Sequence, residues 1–311
     1  MSVNDPLVSV VIPTYNKSSS IEMTVKSVLR QSYPNIEIVL VDNGSSDSTR
    51  DLILRMSETT NNLKVILMSE NLGPSNARNI GIKNSAGRYI FLLDGDDLFH
   101  PEKIVTQVDF MRLNPEFALS VTSYLISNED GHRPRLIKFK SVASLINGWI
   151  RMTGFGGLVE STGCIDASRI QDPLLFDVSL MGSEGLDFMM KWNQKYPIGM
   201  IQKPLTLYLL SDSQLHLNTA AIRENVTRLN PKYIQGRLRL EYTRRLQSSF
   251  FTLDGMRKDS PKKVFIKLCR SLNIYLVIMC YSILKRNLTA YISGLKSVSI
   301  IDEFFGSSTR M

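Results

Sequence analysis

Histidine and cysteine are both scarce in this chain, three of each in 311 residues, and each scarcity removes a class of chemistry. Cys164, Cys269 and Cys280 have no metal-ligand spacing, and their odd number argues against a disulfide framework; a reducing cytoplasm suits them best. His100, His132 and His216 are scattered and read as ordinary surface or satisfied side chains rather than metal ligands. Long apolar runs are missing as well. The longest, Ile274 to Leu284, falls well short of the roughly 20 residues that cross a bilayer. The first residues show no basic stretch leading into an apolar one, so no secretory signal is expected. No Gly-x-Gly-x-x-Gly joins the first strand to the first helix, which counts against an NAD or FAD domain, and no Walker P-loop occurs. Gly154-Phe155-Gly156-Gly157 joins no strand to a helix within a βαβ unit and reads as a loop.

What is present is globular: 43% hydrophobic and 21% charged residues, enough chain for one large α/β domain or a domain with an appendage. The net charge of +8 is unevenly spread. From Lys232 to Lys296 there are 14 Lys or Arg against 3 acids, a local +11 that leaves the remainder near −3.

Strand and helix patterns alternate through the first third. Leu7 to Ile12 reads as a strand stopped by Pro13. A helix follows with Ile21, Val25, Val28 and Leu29 on one face. Further strands are expected at Ile36 to Val41, Leu63 to Met68 and from Tyr89, with helices after Ser48 and from Pro74 to Lys83 between them. Strands and helices alternating at this spacing imply βαβ units and a parallel sheet, whose polar loops gather at the edge where such folds bind ligands. Beyond it, a helix is expected at Pro101 to Arg112, a strand at Phe117 to Ile126 and a helix opening at Ser183-Glu184-Gly185-Leu186-Asp187. From Asn128 to Gly157 the pattern loosens, and after a strand at Leu205 to Leu210 the chain turns helical and basic.

The stretch around which the rest is organised is Tyr89-Ile90-Phe91-Leu92-Leu93-Asp94-Gly95-Asp96-Asp97. An apolar run of strand length ends in three carboxylates within four positions. Such a run reads as a buried strand whose carboxyl end opens into the crevice. Carboxylates this close repel one another unless a cation is shared, which suits a divalent metal; a polar turn before the next helix is the plainer reading.

Four stretches in order resemble the inverting nucleotide-sugar glycosyltransferases of family 2. They are Val10-Val11-Ile12-Pro13-Thr14-Tyr15-Asn16, the run Val39 to Thr49 with Asp42, Asn71-Leu72-Gly73-Pro74-Ser75-Asn76-Ala77-Arg78-Asn79, and the Asp-x-Asp of Leu93-Asp94-Gly95-Asp96-Asp97. The resemblance covers about residues 7 to 210. It implies an α/β chain of the GT-A (nucleotide-diphospho-sugar transferase) fold, with a mostly parallel central sheet flanked by helices: a catalytic domain over 1–215 and a helical, basic C-terminal extension over 216–311. It also implies roles. Asp42 accepts from a base imide N–H, favouring uracil or thymine; Pro13, Thr14, Tyr15 and Arg78 line the base and ribose pocket; Asp94 and Gly95 meet the donor; Asp94 and Asp96 hold Mg²⁺ or Mn²⁺. The implied reaction moves one sugar from a UDP or dTDP donor to a hydroxyl of a glycan or polyprenyl-linked acceptor, in cell-surface polysaccharide synthesis.

Two departures qualify the resemblance. The family's catalytic base is commonly the Asp of a Glu-Asp pair opening a late helix, and here that position is Gly185. Glu184 is the candidate base and Asp187 the reserve, while both acids also serve as an ordinary dipole-matched helix start. The Gln-x-x-Arg-Trp signature of processive synthases is absent, so single-sugar transfer is expected. A non-catalytic nucleotide-sugar-binding subunit of a membrane glycan assembly is the alternative that Gly185 permits. A phosphohydrolase with an aspartyl nucleophile is disfavoured, because its motif belongs on the first strand. The basic residues flanking Ile274 to Leu284 suit either an anionic lipid surface at the inner face of the plasma membrane or a helical cap on the domain. No nucleic-acid motif accompanies them.

Overall fold

The computed structural model describes residues 5–128, 134–138, 159–170, 175–180 and 184–210. The glycine run 154–157, His132, His216, Cys269, Cys280 and the basic extension 216–311 lie outside the described residues.

The four apolar runs are strands β1 (Val8–Thr14), β2 (Ile36–Asp42), β3 (Leu63–Leu67) and β4 (Tyr89–Leu92), separated by helices α1 (Ile21–Leu29), α2 (Thr49–Thr59) and α3 (Pro74–Lys83). A helical crossover brings each strand back in the same direction, and the four run parallel in the order β3-β2-β1-β4. β5 (Leu98–Phe99), α4 (Lys103–Leu113), β6 (Leu119–Asn128), β7 (Arg135–Ile137), β8 (Gly163–Asp166), α5 (Glu184–Lys195) and β9 (Ile198–Leu210) complete the described elements, with 3₁₀ turns at Glu160–Thr162 and Ala167–Arg169. The sheet continues β4-β8-β6-β9-β5, with β7 on β6. Here β8 is antiparallel to both neighbours and β9 is parallel to β6, so uniform parallel pairing belongs to the first four strands.

Pro13 does not end β1, which runs on through Thr14 in register with Asp42. The reason lies in the ladder. The Thr14 carbonyl accepts from the Asn43 N–H on the β2 side, and the Val11 carbonyl accepts from the Leu93 N–H on the β4 side. Odd-numbered residues of β1 therefore bond towards β4, and β4 has ended at Leu92 by the level of Pro13. The missing proline N–H costs no ladder bond.

Both faces of β1 are buried, which is why its sequence is a run rather than an alternation. Val8, Val10 and Ile12 pack with Ile21, Val25 and Val28 of α1 and Ile104, Val108 and Met111 of α4. Val11 faces the opposite core, with Ala77 and Ile82 of α3 and Leu186, Met189 and Trp192 of α5. Leu29, expected on the apolar face of α1, is 48% exposed because the helix ends there at the rim of its stripe. The chain passes from β1 to β2 on one side, and β4 later joins β1 on the other. This reversal of order opens a crevice at the carboxyl ends of β1 and β4. Among the described residues no helix is long and apolar enough to cross a membrane.

Candidate active site

Three loops converge on that crevice. Thr14 and Asp42 end β1 and β2 side by side. Asn16, in a left-handed conformation, accepts from the Ser46 N–H at 2.9 Å while its own N–H donates to Ser45 Oγ, tying the first loop to the second. Asn43 ties the second to the third, donating to Asn71 Oδ1 at 2.9 Å and accepting from the Leu72 N–H at 3.1 Å. An aspartate at 43 would lose the first of these bonds, because it has no N–H to give.

Asp42 is fully buried and, among the described residues, accepts only long bonds from the Ser45 N–H, 3.3 Å to each oxygen. Thr14 Oγ1 is buried without a hydrogen-bond partner among the described residues, and Tyr15 beside it presents a ring that is 41% exposed. An orphan hydroxyl, a buried acceptor and an open aromatic face together suit a polar, planar ligand.

The acidic turn follows β4. Gly95 lies against Thr14 Oγ1 and the Pro13 carbonyl, where a β-carbon would stand 3.0 and 3.3 Å from them, so glycine lets the turn close onto the end of β1. Asp94 accepts from Arg78 Nη2 at 2.8 Å, and Asp96 from Lys17 Nζ at 2.6 Å. Asp97 is buried: it accepts from Ser161 Oγ at 2.5 Å and from the Leu209 N–H at 3.2 Å, which makes it a brace for the turn. Ser161 Oγ in turn accepts from the Asp94 N–H at 3.0 Å. Burial pushes the Asp96 carboxyl up against the pull of Lys17, and burial with Asp96 and Asp94 nearby pushes Asp97 well up.

Arg78 projects from α3 into this acid cluster. Its Nη1 is 3.6 Å from Glu184 Oε1 and 3.9 Å from Glu160 Oε1, and its guanidinium lies 5.3 Å from the centre of the Phe176 ring. Burial works against its charge, but Asp94, Glu160 and Glu184 more than offset that and hold it firmly protonated. The structure thus joins Arg78 to Asp94 and Glu184, while Asp187 is fully buried and ion-paired to Lys191 at 2.5 Å. Glu160, Ser161 and Lys17 were not singled out in the sequence. Lys17 sits in a polar loop and Ser161 in a 3₁₀ turn of three residues, both too short for periodicity to speak.

Gly185 lies directly against the Glu160 carboxylate: a β-carbon there would collide with Oε1, with Cδ 2.9 Å away. Burial pushes the Glu160 carboxyl up to about 7, with Arg78 pulling it down and Asp94 and Glu184 pushing it further up.

Asp94, Asp96, Glu160 and Glu184 gather around Arg78 and Lys17, with Asp97 buried beneath the turn, so carboxyl groups outnumber cations here. Among the described residues no group of three or more His, Cys, Asp or Glu forms a ready-made metal cage. Asp94 and Asp96, paired here with Arg78 and Lys17, are hard carboxylates of the kind that suit Mg²⁺ or Mn²⁺ where most positions are left to substrate oxygens.

The chain is similar to known proteins in sequence and in fold. The chain is 40% identical over 126 residues to the putative teichuronic acid biosynthesis glycosyltransferase TuaG of Bacillus subtilis strain 168, covering 40% of this chain and 50% of that one. It is 38% identical over 125 residues to the UDP-Glc:alpha-D-GlcNAc-diphosphoundecaprenol beta-1,3-glucosyltransferase WfaP of Escherichia coli, covering 40% and 48%. The matched stretch spans about half the length of both relatives. In fold, the chain resembles S. aureus TarS 1-349 in complex with UDP-GlcNAc, with a TM-score of 0.63 at 20% identity over 83% of this chain and 78% of that one. It also resembles the mannosyltransferase PcManGT of Pyrobaculum calidifontis in complex with GDP-Man and Mn²⁺, with a TM-score of 0.58 at 15% identity over 92% and 81%. The fold is the α/β GT-A fold of these glycosyltransferases. Glycosyl transferase family 2 matches residues 9–170, which take in all three crevice loops, the acidic turn and the Glu160 turn, and the chain belongs to that family.

Proposed function

We propose that this chain is an inverting, non-processive, metal-dependent glycosyltransferase that moves one hexosyl or N-acetylhexosaminyl unit from a UDP or dTDP donor to a hydroxyl of a glycan or polyprenyl-linked acceptor. The observation that carries this is the acidic turn at the switch point, with Asp42 and the orphan Thr14 hydroxyl at the same sheet edge.

In this reading Asp42 accepts the imide N–H of uracil or thymine, and cytosine, lacking that hydrogen, is refused. Tyr15 covers the base, Thr14 and Pro13 line the ribose, and Gly95 lets the donor approach the backbone. Asp94 and Asp96 would hold Mg²⁺ or Mn²⁺, which when bound neutralises charge on the departing diphosphate. Arg78 holds Asp94 in place through its 2.8 Å hydrogen bond. The acceptor oxygen attacks the anomeric carbon as its proton passes to a carboxylate of the Glu160–Glu184 pair. The bond to the diphosphate breaks with its electron pair leaving on phosphate. Asp187, buried against Lys191, suits holding α5 in place.

A role in cell-surface polysaccharide synthesis accords with the names of the TuaG and WfaP relatives. The sequence of 216–311 extends the reading to the inner face of the plasma membrane, through basic residues on anionic lipid. The competing reading, a non-catalytic nucleotide-sugar-binding subunit, draws on Gly185.

The test is calorimetric titration with UDP, dTDP, GDP and CDP, each with and without Mn²⁺. Metal-dependent binding of UDP or dTDP is expected, and CDP binding as tight as UDP would overturn the role of Asp42. Nucleotide release that depends on added acceptor would exclude the non-catalytic subunit.

A further inference from the structure

We infer that Glu160 is the carboxylate that takes the proton of the acceptor hydroxyl, seated in the space that Gly185 leaves open at the start of α5. The inference rests on the transferase reading and adds the residue that completes its chemistry. Three observations carry it.

The first is the seat. Gly185 is the second residue of α5, and any side chain there would run into the Glu160 carboxylate. The acid missing from position 185 is thus replaced in space by one arriving from the Glu160–Thr162 turn.

The second is how firmly the turn is held. Ser161 Oγ bridges the Asp94 N–H and the Asp97 carboxylate, and the Ser161 carbonyl accepts from Thr206 Oγ1 at 3.0 Å. The Thr162 carbonyl accepts from Lys103 Nζ and Gln107 Nε2, each at 3.2 Å. One short turn therefore supports the backbone of Asp94 and presents Glu160, fixing the two acids relative to each other as a two-partner reaction requires.

The third is access and charge. Among the acids on this side, the Glu160 side chain keeps 16% exposure, against 10% for Glu184 and none for Asp187. Glu184 is the nearer to Arg78, at 3.6 Å against 3.9 Å, and is better placed as its counter-ion. A carboxyl pushed up to about 7 by burial, as in Glu160, is matched to accepting a proton near neutrality. The step balances. The acceptor O–H bond breaks, oxygen bonds to the anomeric carbon, the pair of the broken carbon–phosphate oxygen bond leaves with the nucleoside diphosphate, and the proton rests on Glu160 until solvent removes it.

The experiment uses the full chain with Mn²⁺ and a panel of UDP-glucose, UDP-GlcNAc and GDP-mannose. A polyprenyl-diphosphate-linked GlcNAc serves as acceptor, and released nucleoside diphosphate is measured. Glu160→Gln should lower kcat by roughly 100-fold or more, the usual contribution of a general base, while UDP affinity and the melting temperature hold. Glu160→Ala with Gly185→Asp, which returns an acid to the vacated space from the helix side, should regain at least about tenfold over Glu160→Ala alone. Wild-type turnover with an equally active Glu160→Gln overturns this inference alone, as does a double variant no faster than Glu160→Ala. A wild-type chain that binds no nucleotide and releases none overturns the transferase reading and this inference with it.

Discussion

Lys103 offers a test of how the site is supported from below. The side chain comes from α4 and is fully buried, with Nζ 5.9 and 4.9 Å from the centres of the Phe91 and Phe99 rings. Its Nζ donates to Gln107 Oε1 at 2.6 Å and to the Thr162 carbonyl at 3.2 Å. Burial pushes the amine down from its ordinary 10.5 to about 7, with only Cys164 pulling the other way. Between pH 7 and 10.5 the unfolded chain therefore binds this proton and the folded chain does not, so stability rises with pH across that window. Below pH 7 both states carry the proton and the contribution is flat. The slope approaches about 1.4 kcal/mol per pH unit, which amounts to about 2 kcal/mol between roughly pH 7 and 9. The thiol of Cys164, pushed up from 9 by burial, acts with opposite sign as pH approaches and passes 9, and offsets roughly 0.4 kcal/mol of the gain by pH 9. Urea unfolding of the full chain at about pH 7, 8 and 9 should show that gain, and Lys103→Met should remove it while keeping the side chain's length. A Lys103→Met protein with the wild-type slope would refute the assignment of the buried amine as its source.

Other outcomes follow from the same geometry. Asp96→Ala should abolish turnover and metal-dependent UDP binding without unfolding the chain; tight UDP binding by that variant without metal would refute its role. Asp42→Asn should weaken UDP binding roughly 10- to 100-fold, the worth of a charge-assisted hydrogen bond, and narrow the preference over CDP; an unchanged UDP to CDP ratio would remove Asp42 from base reading. Glu184→Gln should cost turnover less than Glu160→Gln does, measured by initial rates at saturating donor, and the reverse order would pass the base to Glu184. Replacing Lys262, Lys263, Lys267 and Arg270 by Gln should lower co-sedimentation with phosphatidylglycerol vesicles, and equal sedimentation would argue against a lipid-facing role.

Much of the crevice was legible because its parts are local. β1, β2 and β4 are largely buried runs closed by Asp, Asn or Gly, and Thr14, Asp42 and the acidic turn sit within a few residues of such a closure. Pro13 misled because a proline's effect depends on which neighbour its nitrogen faces, and that is set by the strand order. Leu29 misled because a helical stripe has edges that spacing alone does not mark. Glu160 was invisible for a different reason. Its importance comes from lying against a glycine 25 positions later in the sequence, in a turn of only three residues that leads into β8. The mark that could have found it was Gly185 itself, a weak helix former placed where the neighbouring residues favour a helix.

In the proposed reading, the ammonium on Asp96 would impose an order of arrival. Lys17, only 23% exposed, would have to leave that carboxylate before Asp96 could serve a divalent cation. A cation that came alone would strand a positive charge beside itself, whereas a nucleoside diphosphate arriving with it would give the flexible Lys17 side chain a new anionic partner. The Lys17–Asp96 pair would then act as a plug that cation and donor release together, and that re-forms once the diphosphate product is gone.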